Sequence, residues 1–459
     1  MAYLRISTPG GVVTPDELQR LASVSHQWAL GKMEVGFRQD LLIRCTDAQL
    51  PVLRQQLGGQ GFSVEEAVPV HPNIVSSVVA QNIFPKVSWL RSGDYLDILD
   101  SFDVKPRFKI NLIDPTQELI RPLTGEVNFI ASPTPSFWYM AINLPVLGAL
   151  KVWPELVDGE QIAEWVKTIE NTLNAPGAIG SFEALFQSVT SRFKGRTRRV
   201  REELRLTSKP YPHHEGIYRY DERYWIGLYQ RDNEFEASFI GALCQLCKDT
   251  KIGRLYPTPF KTFIVRDIPK ETIYQWEKLL GLWGIPTHYS SLELNWQLPD
   301  ADAAALRLKT ELVDAFERTR IRTSSLSFSI GLRSADTTST IVIEPLSSEY
   351  ERFRIVHSPD FFIGNTDWET FAADVARKNL PEVLRRLTQK YYEQLSTEKK
   401  AGLTRTTATL KPIVTEKVMR CKHCLTVANR PAPLSSSYVC PTCDAPARDF
   451  VEVTWETLT

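Results

Sequence analysis

Cysteine is scarce in this sequence: seven in 459 residues, and none between Cys247 and Cys421. A small, odd number excludes a disulfide framework and suits a reducing compartment. Neither sign of charge is in surplus. Lysine plus arginine and aspartate plus glutamate both total 54, so nothing in the bulk charge asks for nucleic acid or an anionic membrane. No stretch reaches the ~18 apolar residues of a spanning helix, and the start, Met1-Ala2-Tyr3-Leu4-Arg5, has no long apolar run. The expectation is a soluble, cytoplasmic protein with no secretion signal. A Gly-rich phosphate loop, a Ser-His-Asp constellation and a His-Glu-x-x-His motif are also missing, which removes the usual nucleotide-binding and hydrolase patterns. The remainder is ordinary globular composition, 43% hydrophobic and 24% charged, long enough for two or three domains with real cores.

Four of the seven cysteines stand together near the end of the chain. They form Cys421-Lys422-His423-Cys424 and Cys440-Pro441-Thr442-Cys443, with fifteen residues between the pairs. Two such tight turns aim four thiolates at one spot, a tetrahedral donor set whose soft sulfur selects zinc or iron over magnesium or calcium. The second pair sits in Tyr438-Val439-Cys440-Pro441-Thr442-Cys443-Asp444-Ala445-Pro446, with Phe450 seven residues after Cys443. This stretch, about residues 418–453, resembles rubredoxin, whose second turn reads aromatic, one residue, Cys-Pro-x-Cys, a small-residue turn and a Phe. The resemblance implies one iron of the rubredoxin type, held by the four thiolates of Cys421, Cys424, Cys440 and Cys443. It also implies an aromatic shell of Tyr438 and Phe450 and a one-electron ferric–ferrous couple. The segment Leu425–Val439 is shorter than rubredoxin's and holds no acidic residue. Zinc ribbons share such short spacings, so zinc stays the alternative.

Elsewhere, pattern predicts a helix opened by Thr14-Pro15-Asp16-Glu17 with Leu18, Leu21, Ala22 and Val24 as its buried stripe. A strand over Met33–Arg44 and a helix over Gln49–Leu57, closed by Gly58-Gly59, follow. A related order returns as helix Phe235–Lys248, strand Lys261–Arg266 and a helix from Ile268 to Leu280, which suggests two copies of one half-domain. Residues 84–150 and 216–230 read as strands, above all Phe108–Leu112 and Phe137–Leu144. Residues 160–205 read as helix broken at Asn174-Ala175-Pro176-Gly177, and 301–318 and 367–396 as helices. Ser324–Leu332 and Thr340–Ile343 read as strands, and Ser396–Arg405 as a polar linker.

Four short motifs occur in order: Pro9-Gly10-Gly11-Val12-Val13-Thr14, Phe37-Arg38-Gln39, Lys105-Pro106-Arg107-Phe108-Lys109 and Leu255-Tyr256-Pro257-Thr258-Pro259. With the half-domain repeat, they resemble the assimilatory nitrite and sulfite reductases over about residues 1–395. Those enzymes hold a sirohaem joined to a four-iron, four-sulfur cluster. The implied fold class is α+β: two ferredoxin-like half-domains, two mixed α/β reductase-like regions and a small C-terminal rubredoxin-type metal knuckle domain. The expected boundaries are 1–68, 69–233, 234–290, 291–398, a linker at 399–414, and 415–459. Arg38, Arg107 and Lys109 match the family's anion-binding positions and imply a vestigial sirohaem or anion site; as plain residues they read equally as strand-end ion-pair groups. Ser7 and Pro72 stand where the family has arginines. The cluster cysteines would fall in Asn295–Ala301 and near Gly331–Ala335, and neither segment has one. Sirohaem is therefore not expected, because a cluster without thiolates has no mooring.

Three other features complete the reading. Cys244 and Cys247 lie on a helical pattern and read as core, as does Cys45 at a strand end. His213-His214 on an extended chain would point apart and share no metal. The run Arg192-x-Lys194-x-Arg196-x-Arg198-Arg199-x-Arg201 reads as a solvated helix face or as a docking stripe for an acidic redox partner (a reductase, ferredoxin or flavoprotein). The sequence thus points to an electron-transfer protein of nitrite, nitrate or sulfur assimilation, with one iron on a cluster-less reductase-like scaffold. A sirohaem reductase with a fused rubredoxin and a zinc-ribbon interaction protein are the alternatives.

Overall fold

The structure is a computed structural model. It describes residues 2–66, 73–148, 150–175, 180–206, 212–333, 337, 339–361, 368–406, 413–424, 426, 428 and 433–458, with 397–406, 413–418 and 454–458 as backbone only. The chain divides into two units, Met1–Thr388 and Gln389–Thr459.

The larger unit opens with β1 (Ala2–Ile6), α1 (Pro15–Gln27), β2 (Lys32–Val35), β3 (Leu41–Cys45), α2 (Leu50–Gly59) and β4 (Val64–Glu66). The strands run antiparallel in the order β2-β3-β1-β4. Thr14 caps α1: its hydroxyl accepts from Glu17 N at 3.2 Å, and the Glu17 carboxylate accepts from Thr14 N at 2.8 Å. The expected strand over Met33–Arg44 is instead a hairpin. Gly36 N donates to Asp40 O at 2.7 Å, and Gln39 turns the chain at φ +59°.

The first α/β region holds β5 (Ile74–Ser76), α3 (Ser92–Asp100), β6 (Ile110–Ile113), β7 (Val127–Ala131), β8 (Phe137–Ile142), β9 (Lys151–Val152), β10 (Glu155–Asp158), α4 (Ile162–Leu173), α5 (Phe182–Arg192) and β11 (Thr197–Arg199). Strands β5, β6 and β7 are parallel; β8, β10 and β11 continue the sheet antiparallel. Residues 84–150 are thus not all strand, since α3 interrupts them, and the expected helix over 160–205 ends at α5. Of its expected break, 176–179 lie outside the described residues.

The second half-domain comprises β12 (Gly216–Tyr220), β13 (Arg223–Tyr229), β14 (Phe235–Glu236), α6 (Ala237–Asp249), β15 (Tyr256–Pro257), β16 (Thr262–Pro269) and α7 (Ile273–Leu282). The sheet order is β12-β13-β16-β15, while β14 crosses over to pair with β2. The series β13-α6-β15-β16-α7 repeats β1-α1-β2-β3-α2. The edge that β4 fills beside β1 is filled beside β13 by β12, which precedes it in the chain, so this sheet includes strands upstream of residue 234. Helices α1 and α6 pack together over one shared core that includes Leu21, Phe239 and Leu243. Cys244 and Cys247 are fully buried in it, and burial pushes the Cys244 thiol up to about 12. They are packing residues.

The duplication extends further. After α8 (Ser291–Leu294), strands β17 (Trp296–Gln297), β18 (Phe328–Ile330) and β19 (Ile341–Pro345) are parallel. Strands β20 (Arg352–His357) and β21 (Glu369–Ala376) follow antiparallel, with α9 (Ala303–Thr319) between β17 and β18. The start of the expected helix 367–396 is therefore β21. Helix α10 (Leu380–Thr406) crosses the boundary between the units, so the expected linker is helical as far as Thr406. In the smaller unit, β22 (Ile413–Cys421) pairs with β23 (Phe450–Leu458) along its whole length. No helix among the described residues is long and apolar enough to cross a membrane.

The motif residues lock these parts together. Gln39, fully buried, donates through Nε2 to Pro257 O at 3.2 Å and accepts from Ser76 N at 2.8 Å, while Thr8 donates to its carbonyl. Gly11 sits against it at φ +65°, where a Cβ would come within 2.3 Å of the Gln39 amide. Gly11→Ala is expected to cost about 1–3 kcal/mol, read as a lower urea midpoint of the full chain. An unchanged midpoint would deny the interlock.

Candidate metal centre

In the smaller unit, β22 delivers Cys421 to the foot of the hairpin opposite Phe450. Cys421 N donates to Thr426 O at 2.9 Å and Cys440 N to Ala445 O at 2.8 Å, which folds both turns back on themselves. Asp444 completes the second turn at φ +59°. The four Sγ atoms lie within 4.8 Å of one another, with Cys421–Cys443 at 3.6 Å and Cys424–Cys440 at 3.4 Å. A tetrahedral ion with metal–sulfur bonds of about 2.3 Å requires sulfur–sulfur edges of about 3.8 Å, so the four residues fit one. Cys421 and Cys440 are fully buried, Cys424 is half-buried and Cys443 is exposed. Tyr438 and Phe450 meet edge to face at 5.4 Å, and Ala428, Ala445, Met419 and Leu434 close the surrounding core. Hydrogen bonding with Thr426 lowers the Cys424 thiol, while the neighbouring sulfurs raise Cys443, so the four thiols lose their protons as one coupled set.

The other expected site residues are in the body. Arg38 is buried, and its guanidinium donates to Asn73 O at 2.8 Å, Ile110 O at 3.0 Å and Asn111 Oδ1 at 3.2 Å. It ties the β2–β3 turn to the parallel strands. Arg107 is exposed and Lys109 half-buried; their backbone N–H groups are held by Glu170 (2.6 Å) and Glu126 (2.8 Å). His214 is buried and stacked on Phe260, and burial lowers its pKa to about 3. His213 lies instead 3.4 Å from the Tyr218 hydroxyl. The basic run is not a helix face. Arg196 pairs with Asp158 at 3.2 Å and with Glu160, and Arg198 lies 4.6 Å over the Phe137 ring. Arg192, Lys194, Arg199 and Arg201 are exposed, with no ion-pair partner among the described residues.

The sequence reading missed Asp300. It stands in Asn295–Ala301, where the resemblance would put cluster cysteines, and its side chain is buried there. Its carboxylate accepts from Phe37 N at 2.9 Å, from Arg5 at 3.0 Å and from Lys261, while Arg5 also pairs with the fully buried Asp40. Burial pushes both carboxyls up. For Asp300 the Lys261 and Arg5 charges overcome burial and hold it below the usual range; Asp40, with Asp300 beside it, stays raised. Isolated acids and bases carry no such signal in one sequence, because the pairing spans 295 positions.

A profile of the nitrite/sulfite reductase ferredoxin-like half domain matches residues 1–59. The structure is similar to that of the NirA protein of Mycobacterium tuberculosis, with a TM-score of 0.63 and 15% sequence identity over 84% of this chain and 80% of that one. No curated protein matches. The body is a nitrite/sulfite-reductase-like scaffold. A sirohaem–cluster centre does not fit the residues present. Asn295–Ala301 offers no thiolate and is held by Asp300, Arg38 is already bound by main-chain carbonyls, and Gly331–Ala335, partly outside the described residues, also lacks cysteine.

Asp300→Asn leaves half-buried Lys261 without its carboxylate and Arg5 with Asp40 alone, and is expected to cost about 3–5 kcal/mol near neutral pH. The folded Asp300 pKa is depressed, so its stabilisation is present above the usual ~3.9 and is lost as pH falls through the folded value. The wild-type minus variant difference in urea unfolding should therefore shrink in acid, and a pH-independent difference would contradict the ion cluster.

Proposed function

We propose that this protein is an electron carrier with one rubredoxin-type iron on Cys421, Cys424, Cys440 and Cys443, serving nitrite, nitrate or sulfur assimilation. The convergence of four sulfurs inside an aromatic shell supports this most. An iron held there supplies a one-electron couple. The residues around it do the rest: Tyr438 and Phe450 keep water from the buried sulfurs, and exposed Cys443 is the ligand a partner can approach. The reductase-like body is the docking platform in this reading. Arg192, Lys194, Arg199 and Arg201, exposed and without an ion-pair partner among the described residues, give it positive charge suited to an acidic reductase, ferredoxin or flavoprotein, and such attraction speeds encounter at low salt. Zinc is the second reading, favoured by the short fifteen-residue segment between the pairs.

Protein purified anaerobically under native iron supply should hold one iron per chain, lost in Cys440→Ser. One zinc per chain in colourless protein would support the second reading, and a co-purifying tetrapyrrole would overturn both. With an acidic ferredoxin as donor, Arg199→Glu/Arg201→Glu should slow reduction about tenfold or more at low salt and little at high salt. Equal rates at all salt concentrations would remove the docking stripe.

A further inference from the structure

The five-stranded sheet buries Leu4, Ile6, Ile43 and Val35 on one face. Tyr3, Glu34 and Arg44 alternate onto the other. Between that face and the segment from Trp296 to Lys309 lies a cavity of ≈ 200 Å³. A dry cavity of about 150 Å³ takes a benzene ring, so this one holds a single ring with a short substituent. It is too small for a tetrapyrrole.

The walls are aromatic and, on balance, acidic. Tyr3, Tyr229, Phe260 and Trp296 line the cavity. The Tyr229 hydroxyl is engaged by Glu293 at 3.2 Å and the Trp296 indole N–H donates to Leu292 O at 2.7 Å. Their polar atoms are thus already committed. Five carboxylates line the cavity against three cations, a surplus of two negative charges. Most are matched: Lys261 pairs with Asp300, Lys309 is held by Glu293 at 2.5 Å, and Asp302 caps α9 through Ala304 N and Ala305 N. Of the others, Asp232 is exposed, and Glu34 is the enclosed carboxylate with the weaker match. Its side chain is 12% exposed, and its ion-pair partner among the described residues is Arg44 at 3.3 Å. Arg44 lies nearer to Glu234, at 2.7 Å. Burial pushes the Glu34 pKa up against the opposing charges of Lys261 and Arg44, so these two shared cations do not fully offset its burial. An organic cation would supply that charge and gain further from the aromatic faces.

We propose that this cavity binds a small organic monocation, a primary amine or amidine on one ring or a short aliphatic chain. Its nitrogen sits on Glu34 and its body between Tyr3, Tyr229 and Trp296. The site lies wholly within Met1–Thr388, so it goes beyond the metal-centred reading and does not depend on it.

Calorimetry on the full chain with benzylamine, benzyl alcohol and benzoate tests this. Benzylamine should bind about tenfold or more tighter than benzyl alcohol, and benzoate should not bind. Glu34→Gln should erase the preference for the amine. Leu306→Trp, which fills the cavity and leaves the carboxylate in place, should abolish binding of both and decides the matter if Glu34→Gln does not fold. Equal binding of all three probes, amine preference surviving Glu34→Gln, or no benzylamine binding at millimolar concentration would overturn the proposal.

Discussion

Four thiolates drawn within 4.8 Å of one another repel unless a cation sits among them or protons neutralise them. That constraint governs the smaller unit. The hairpin of β22 and β23, the two turns and the Tyr438–Phe450 pair all bring sulfur to one point, and among the described residues the hydrophobic cluster around it includes two of the cysteines themselves. A metal ion held there would make binding and folding one equilibrium, with the ligand free energy appearing as stability. The choice of ion decides the function, because zinc in the same cage holds the fold and does no redox chemistry.

The body has solved a different problem. In a scaffold of two half-domains and two α/β regions, the segment Asn295–Ala301 carries Asp300. Its buried pairs with Arg5 and Lys261 join that segment to the first half-domain and to the loop before β16. Arg38 spends its guanidinium on main-chain carbonyls. Arg38, one of the three residues that suggested an anion site, is thus occupied as a joint. Fold likeness carries the architecture across and leaves the chemistry to be argued from the site, and here the convergent donor set lies in the smaller unit.

Much of this was legible in the sequence where the signal is local. Thr14-Pro15-x-Glu17 named the start of α1 because capping is decided within four residues. The Cys-x-x-Cys pairs named the four sulfurs that the structure brings together, because each turn fixes its own two. Non-local features were lost. The strand β21, Glu369–Ala376, has the composition of a helix and half of its residues are exposed; its pairing with β20 sets its conformation. The Met33–Arg44 stretch alternates well enough to pass for one strand, and only the Gly36–Asp40 bond reveals the turn. The basic run owes its strand to pairing with β10, on which propensity says nothing. Asp300 looks like a loop acid until Arg5 and Lys261 are brought to it.

The most direct test of the redox assignment is a potentiometric titration of the visible absorption of natively loaded protein. The account predicts one reversible transition that follows a one-electron Nernst curve and disappears when Cys421 or Cys440 is replaced by serine. A protein that stays optically silent across the whole potential range while carrying a full complement of metal would contradict it.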